Sequence, residues 1–414
     1  MGQKNKKPLI GDLSKTNIAI FGAGTVGNRD LETLASLGFQ VIFSKYGASS
    51  DIKLEELLEV QKRLGQKLVG YAARGSNLNE RIDAINKAGF DCQGSVDDID
   101  YDKVDLVIDA TNNREERNWL EIYGPHNLAF AINGGSQGRI VNNLFYAGVP
   151  KSVVDENHLP YLTNNAKIVS CNTHCMTTAI GLLKETLDSF GRDFKEYIKH
   201  IDTTFNRRHE DPNKGKSLPW DVTVTRKPYH LEEVAFLQPE TKGLLGSDYS
   251  KWATEYFHNI SMDIDFKKSI PDDFVDAFKL AIQIYPRAIY TEDDLSHKKT
   301  IVAAAKANIP DGDIPFPVYM VRKIHDTRIK IYALTPQRGI VTPSTADYAI
   351  MRTQQVPWKE AFEYVNSNAL FRGHNFLHIA NSVQDNLRQY NLTKAEENIL
   401  LKQWVKGFKS KKLF

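Results

Sequence analysis

The chain has 414 residues, with 53 lysines and arginines against 51 aspartates and glutamates, a formal charge of +2. That near-balance gives no electrostatic ground for nucleic acid or a membrane surface as the principal partner. The length suits two domains, each able to bury a core of its own. Three cysteines, Cys92, Cys171 and Cys175, are too few for a disulfide framework and fit a reducing cytoplasm. Cys171 and Cys175 have His174 between them and no second pair at ligand spacing, so no metal site is expected. No apolar run approaches the roughly eighteen residues of a spanning helix, and no signal-peptide pattern opens the chain.

Residues 17–21 read as a buried strand, followed at once by Gly22-Ala23-Gly24-Thr25-Val26-Gly27 and a helix pattern through Leu31, Leu34 and Leu37. Glycine at 22 permits a tight turn, at 24 the approach of a pyrophosphate to the backbone, and at 27 close packing of helix on strand. A second strand at 39–43 should end near an adenosine ribose. A site preferring NAD usually has an acid there, whereas this chain has Ser44 and Lys45, which suit a 2′-phosphate. NADP is therefore the preferred expectation and NAD the alternative.

Further along, helices at 52–64 and 78–88 alternate with strands at 68–71, 90–92, 104–109 and 129–132. Such alternation implies a parallel sheet with ligand groups at the carboxyl ends of its strands. Thr111, Asn112 and the run Asn133-Gly134-Gly135 would then lie beside the cofactor. A short strand at 168–169 and a helix at 177–190 put Cys171 at a strand-to-helix corner. Helix amides favour an anion and lower a cysteine pKa, which makes Cys171 a candidate nucleophile, with a buried structural cysteine as the alternative. Asn172 and Thr173 are candidate donors to an oxyanion or a substrate phosphate.

Beyond Cys171, strand-like runs at 200–206, 220–225, 260–266 and 329–334 and helices at 271–285 and 293–307 predict an α+β domain with a mostly antiparallel sheet. Arg207 and Arg208, close to Lys214 and Lys216, form a candidate phosphate clamp.

These motifs carry a resemblance. Gly22 to Gly27, the run from Ala88 to Asp98, Val104 to Thr111, Ser170-Cys171-Asn172-Thr173, Arg207-Arg208-His209-Glu210-Asp211-Pro212 and Gln337 in the run from Pro336 to Pro343 stand in the order and spacing of one family. Over most of positions 17–350 the chain resembles the archaeal-type (type II) glyceraldehyde-3-phosphate dehydrogenases. The resemblance implies a homotetramer whose subunit joins a Rossmann dinucleotide-binding domain, residues 1–169 with C-terminal helices at 346–414, to a catalytic domain at 170–345. It implies oxidation of a triose phosphate, with inorganic phosphate as co-substrate, through a thiohemiacetal and thioester on Cys171.

By the same resemblance Thr25 and Val26 meet the cofactor diphosphate, and Ser170, Cys171 and Asn172 meet the substrate. Arg208 lies near the cofactor or substrate phosphate, His230 at a substrate phosphate and Gln337 beside the nicotinamide. His258, ahead of the strand at 260–266, is the implied base, with His174 as its rival. The chain departs from the family pattern at His174-Cys175, where a second thiol invites an oxidative disulfide, and at Leu231-Glu232 after His230. The stretch 239–256 is longer than in relatives, and the tail beyond Asn375 is not covered. Two alternatives stay open: a related cysteine dehydrogenase of semialdehydes or acyl phosphates, and a non-catalytic NADP-binding protein.

Overall fold

The computed structural model describes residues 10–45, 51–111, 114–133, 141, 143–146, 164–208, 229–252, 257–292, 297, 300 and 314–368. These divide into two compact units, one made of 10–146, 164–170 and 341–368, the other of 171–340. The expected strand at 220–225, the expected helix at 293–307 apart from His297 and Thr300, the residues Asn112, Gly134, Gly135, Lys214 and Lys216, and the tail beyond 368 lie outside the described residues. No described helix is long and apolar enough to cross a membrane.

The first unit begins with β1 (Asn17–Phe21), α1 (Gly27–Ser36), β2 (Gln40–Lys45), α2 (Asp51–Leu64), β3 (Val69–Ala72), α3 (Leu78–Lys87) and β4 (Asp91–Ser95). It continues with β5 (Leu106–Asp109), α4 (Glu115–Asn118), β6 (Phe130–Asn133), β7 (Leu144–Phe145) and β8 (Asn165–Ile168). The eight strands form one sheet in the order β4-β3-β2-β1-β5-β6-β8-β7, and every pair in it is parallel. A parallel sheet needs cover on both faces, which is why its central strands read as unbroken apolar runs: Ile18, Ala19, Ile20 and Phe21 are all buried. One side of the sheet packs Phe21, Tyr123, Phe130 and Ile132 into a single cluster, with the Phe21 and Tyr123 rings 5.6 Å apart. The chain leaves β1 towards β2 on one side and reaches β5 on the other. The carboxyl ends of β1 and β5 therefore flank a topological switch point, the place where open α/β sheets bind ligands.

The second unit holds α5 (Cys171–Ser189), α6 (Phe194–Tyr197), β9 (Ile198–Arg208), α7 (Tyr229–Leu237), β10 (Leu245–Trp252) and β11 (Phe257–Phe266). After these come α8 (Phe274–Ile284), β12 (Ile289–Tyr290), β13 (Val318–His325) and β14 (Arg328–Pro336). The sheet order is β10-β9-β11-β14-β13-β12. Its three inner pairings are antiparallel, and the edge strands β10 and β12 pair in parallel with their neighbours. Alternate residues of β11, Ile260, Met262, Ile264 and Phe266, are buried on one face, as a strand period of two requires. Phe266 meets Phe274 of α8 at 5.6 Å, and Phe274 in turn meets Phe190, the residue after α5, at 5.7 Å. The chain then returns to the first unit with α9 (Thr342–Gln354) and α10 (Trp358–Ser367).

Two sequence expectations are corrected, and a third stretch gains a structure. The helix expected at 177–190 begins at Cys171, so Cys171 opens it instead of preceding it by a turn and a half. His258 lies inside β11, not ahead of it. The long stretch after Pro239 builds the edge strand β10, whose Trp252 pairs with Arg208.

Candidate active site

The glycine turn sits where β1 ends. Gly22 has φ +86°, in the region that favours glycine, and a Cβ there would lie 2.7 Å from Thr111 Cγ2. A Cβ on Gly27 would stand 2.3 Å from the Gly22 carbonyl oxygen, so α1 can pack on the turn only as glycine. Gly24 differs: a Cβ there meets nothing closer than 3.8 Å, so packing within the chain does not demand glycine. Thr25 and Val26 lead into α1, whose N-terminus has no side-chain cap. The Asn28, Arg29 and Asp30 amides donate to the Gly24 and Val26 carbonyls, and the helix start with its partial positive charge, behind a backbone clear of side chains, suits a pyrophosphate.

The end of β2 adjoins this turn. The Ser44 carbonyl accepts from the amides of Gly22 and Ala23 at 3.2 and 3.0 Å, and buried Lys45 donates from Nζ to the Ala23 carbonyl at 3.4 Å. The buried Ser44 hydroxyl has no hydrogen-bond partner among the described residues. At the end of β5, buried Asp109 accepts from the Thr111 amide at 2.9 Å, from its hydroxyl at 2.5 Å, from Asn118 at 2.9 Å and from the Tyr123 hydroxyl at 3.2 Å. This network, invisible in the sequence, clamps Thr111 against Gly22. Burial pushes the Asp109 carboxyl above the usual range against the pull of those hydrogen bonds.

A second buried carboxyl, Asp30 of α1, accepts from Asn133 Nδ2 at 2.5 Å, and the same amide donates to Thr345 Oγ1 of α9 at 2.8 Å. Burial lifts Asp30 to about 7, outweighing the lowering by Asn133 and Thr345. A folded-state value above the unfolded one means that the folded chain holds the proton more tightly. Stability from this group is thus present at low pH and lost as pH rises from about 4 to about 7. Asp30→Asn is expected to remove that fall, so urea midpoints at pH 5 and pH 8 should lie closer together than in the native chain; an unchanged gap would clear Asp30 of the effect.

In the second unit Cys171, partly buried, is the first residue of the nineteen-residue helix α5, where helix amides favour a thiolate. Cys175, one turn on, is the opposite case: burial pushes its thiol up to about 12, against the pull of the Thr335 and Tyr319 side chains beside it. Iodoacetamide at pH 7.5 is therefore expected to label Cys171 and leave Cys175 untouched, and peptide mapping that finds both equally modified would refute the contrast.

The register of the sheet locates His258. It pairs with Thr335 across β11 and β14, and cross-strand partners project from the same face. Thr335 stands beside the Cys175 thiol, and the Tyr319 hydroxyl of β13 donates to the Cys175 carbonyl at 2.7 Å. Buried His258 thus lies on the face that α5 covers, while His174, the rival base, is buried within α5 itself. Gln337 follows the end of β14, and its Oε1 is buried with no hydrogen-bond partner among the described residues.

His230, on α7, lies against the first turn of α5. Its Nε2 is 3.2 Å from Asn172 Nδ2 and its Nδ1 is 3.4 Å from Thr173 Oγ1, which donates to Glu233 Oε2 at 2.5 Å. Tyr229 lies over the His230 ring at 3.9 Å. Glu233 went unread in the sequence, where the one signal was its place three residues after His230 on a helix, hence on the same side.

The structure brings Gly22, Gly24, Thr25, Val26, Gly27, Lys45 and Thr111 to one corner of the first unit. In the second, His230 meets Asn172 and Thr173 in the first turn of α5, which Cys171 opens, and His258 lies on the sheet face that α5 covers. Ser170 is the buried last residue of its segment of the first unit, and Arg208 closes β9.

An all-parallel sheet with a glycine turn at its switch point is the Rossmann-like arrangement, which suggests a nicotinamide dinucleotide cofactor. No protein-family model matches the chain. The glyceraldehyde-3-phosphate dehydrogenase of Methanothermus fervidus is 24% identical over 353 residues, 83% of this chain and 95% of that relative. The enzymes of the same name from Methanocaldococcus jannaschii and Pyrococcus furiosus are each 25% identical, over 69% and 64% of this chain and 77% and 71% of theirs. The chain is thus similar, at low identity over most of its length, to archaeal dehydrogenases, which are oxidoreductases.

Proposed function

We propose that the chain is a phosphorylating glyceraldehyde-3-phosphate dehydrogenase using NADP, or NAD, with Cys171 as nucleophile and His258 as base. The observation that carries this reading is the pairing of a cysteine at the first position of α5 with a histidine on the sheet face that α5 covers. The name of the archaeal relatives supports the substrate, and the family resemblance of the sequence is the ground for proposing a cytoplasmic homotetramer.

The Cys171 thiolate adds to the aldehyde carbon, the new oxygen takes a proton from protonated His258 to give a thiohemiacetal, and His258 takes that proton back as the hydride leaves. When bound, the nicotinamide supplies the acceptor for the electron pair that leaves this carbon as hydride. A thioester on Cys171 remains. Phosphate attacks it, the Cys171 thiolate leaves, and an acyl phosphate is released. The glycine turn, the start of α1 and Thr111 hold the dinucleotide, and Gln337 offers its amide to the nicotinamide. Arg208 belongs to phosphate recognition in this reading. His230, which the family resemblance put at a substrate phosphate, has both ring nitrogens turned to Asn172 and Thr173 and supports the substrate site through them, with Ser170, Asn172 and Thr173 lining the substrate.

The test is turnover with glyceraldehyde 3-phosphate, inorganic phosphate and either dinucleotide, and the reverse reaction with 1,3-bisphosphoglycerate. Activity with neither substrate in either direction would overturn the reading. Lys45 and Ser44 at the end of β2 lead us to expect NADP preference. Lys45→Ala should weaken NADP relative to NAD by about tenfold or more, the scale of a lost hydrogen bond to a charged group. An unmoved ratio would assign Lys45 to the turn alone.

A further inference from the structure

We infer that Glu233, acting through Thr173 and His230, fixes the orientation of the Asn172 amide so that its oxygen is held as the acceptor for the 2-hydroxyl group of the aldehyde substrate. The inference rests on the dehydrogenase reading for its substrate and on the geometry around α5 for everything else.

A threonine hydroxyl has one proton to give, and that of Thr173 goes to Glu233 Oε2 at 2.5 Å. Towards His230 Nδ1, 3.4 Å away, the Thr173 oxygen therefore accepts, and Nδ1 carries a hydrogen. The other nitrogen of a neutral imidazole is then bare. Nε2 accepts from Asn172 Nδ2 at 3.2 Å, which commits the nitrogen end of that amide to the ring. The oxygen end is left over: Asn172 is 1% exposed, and its Oδ1 has no hydrogen-bond partner among the described residues. A buried acceptor in that position costs stability until a donor reaches it.

The direction runs without a break from Asn172 through His230 and Thr173 to Glu233, and all four residues are buried. Turning the Thr173 proton to Nδ1 would invert it. The ring would take the other tautomer, its Nε2–H would call for the amide oxygen, and Asn172 would present a donor instead. Glu233, an acceptor at the end of the relay, prevents this. It touches no reacting atom and is a positioning residue.

The donor that the amide oxygen awaits follows from the chemistry of the neighbouring Cys171. The thiohemiacetal hydroxyl gives its proton to His258, so on a 2-hydroxyaldehyde the hydroxyl left to donate is the one at C2. A site built around a buried acceptor discriminates against an analogue lacking the donor, because the acceptor then stays unpaired.

Two measurements on the full chain test this. With glyceraldehyde 3-phosphate and its 2-deoxy analogue, 3-phosphooxypropanal, native kcat/KM is expected to favour the hydroxylated substrate by about tenfold to a hundredfold. Thr173→Val should collapse the ratio and Thr173→Ser restore it, whereas a merely structural defect lowers both rates together. With histidine labelled by nitrogen-15 at pH 7.5, His230 should carry its hydrogen on Nδ1 alone, and this signature should change in Thr173→Val. A hydrogen on Nε2 in the native chain, or a ratio unmoved in a Thr173→Val protein that still binds dinucleotide, overturns the inference. If the native chain turns over neither aldehyde, the dehydrogenase reading and the substrate hydroxyl fall together, and the nitrogen signals decide the hydrogen-bond order by themselves.

Discussion

Cys171→Ala is expected to lose aldehyde-dependent dinucleotide reduction by on the order of four decades or more, as removal of a covalent nucleophile does, while dinucleotide affinity stays within about twofold of native. The two readouts separate because most of the candidate dinucleotide groups, those from Gly22 to Thr111, belong to one unit and Cys171 opens the other, where Gln337 lies. No second thiol stands in. Cys175 is held protonated by burial, and Cys92, on β4 of the first unit, is likewise pushed up by burial. Coenzyme titration by fluorescence beside initial-rate assays checks both halves. Residual turnover within tenfold of native would end the case for a cysteine intermediate.

The glycine turn supports a second expected contrast, smaller in size. Gly27→Ala puts a Cβ 2.3 Å from the Gly22 carbonyl oxygen and 3.1 Å from its carbon, both backbone atoms that cannot swing aside. The turn must move, at a cost of about 1–3 kcal/mol for overpacking, partly offset by the roughly 1 kcal/mol helix preference of alanine over glycine. Loss of thermal stability and of dinucleotide binding should come together. Gly24→Ala should melt close to native, since its Cβ meets no protein atom nearer than 3.8 Å, yet bind dinucleotide at least about tenfold more weakly because the methyl stands where the backbone would meet phosphate. Native-like binding by Gly24→Ala would show that the turn does not cradle a pyrophosphate. A native-like melt of Gly27→Ala would show that α1 tolerates displacement.

What was legible in the sequence was what local rules control. The strand, glycine turn and helix at 17–36 are dictated by buried β residues, left-handed glycine and helical spacing, all written in adjacent positions. The start of α5 was misread for a physical reason. Asn172, Thr173, His174, Cys175, Thr177 and Thr178 are indifferent helix formers, and only their near-complete burial makes them helical. His258 drew notice through the family resemblance alone, because its face is set by pairing with Thr335, seventy-seven positions away. Glu233 reads as half of an acidic pair on a surface helix, and only the docking of α7 against α5 turns it inward. Asp109 and Asp30 look like ordinary strand-end and helix-start acids until the sheet closes around them.

The state of Cys175 bears on how the chain withstands peroxide. A thiolate at Cys171 exposed to oxidant becomes a sulfenic acid, and rescue by disulfide formation requires a second thiolate within reach. Cys175 is one helical turn away, but its proton stays on until about 12. Proximity without ionisation makes it a poor resolving partner. A sulfenic acid at Cys171 is therefore expected to depend on a small-molecule thiol for its return, and without one to proceed to the irreversible sulfinic state.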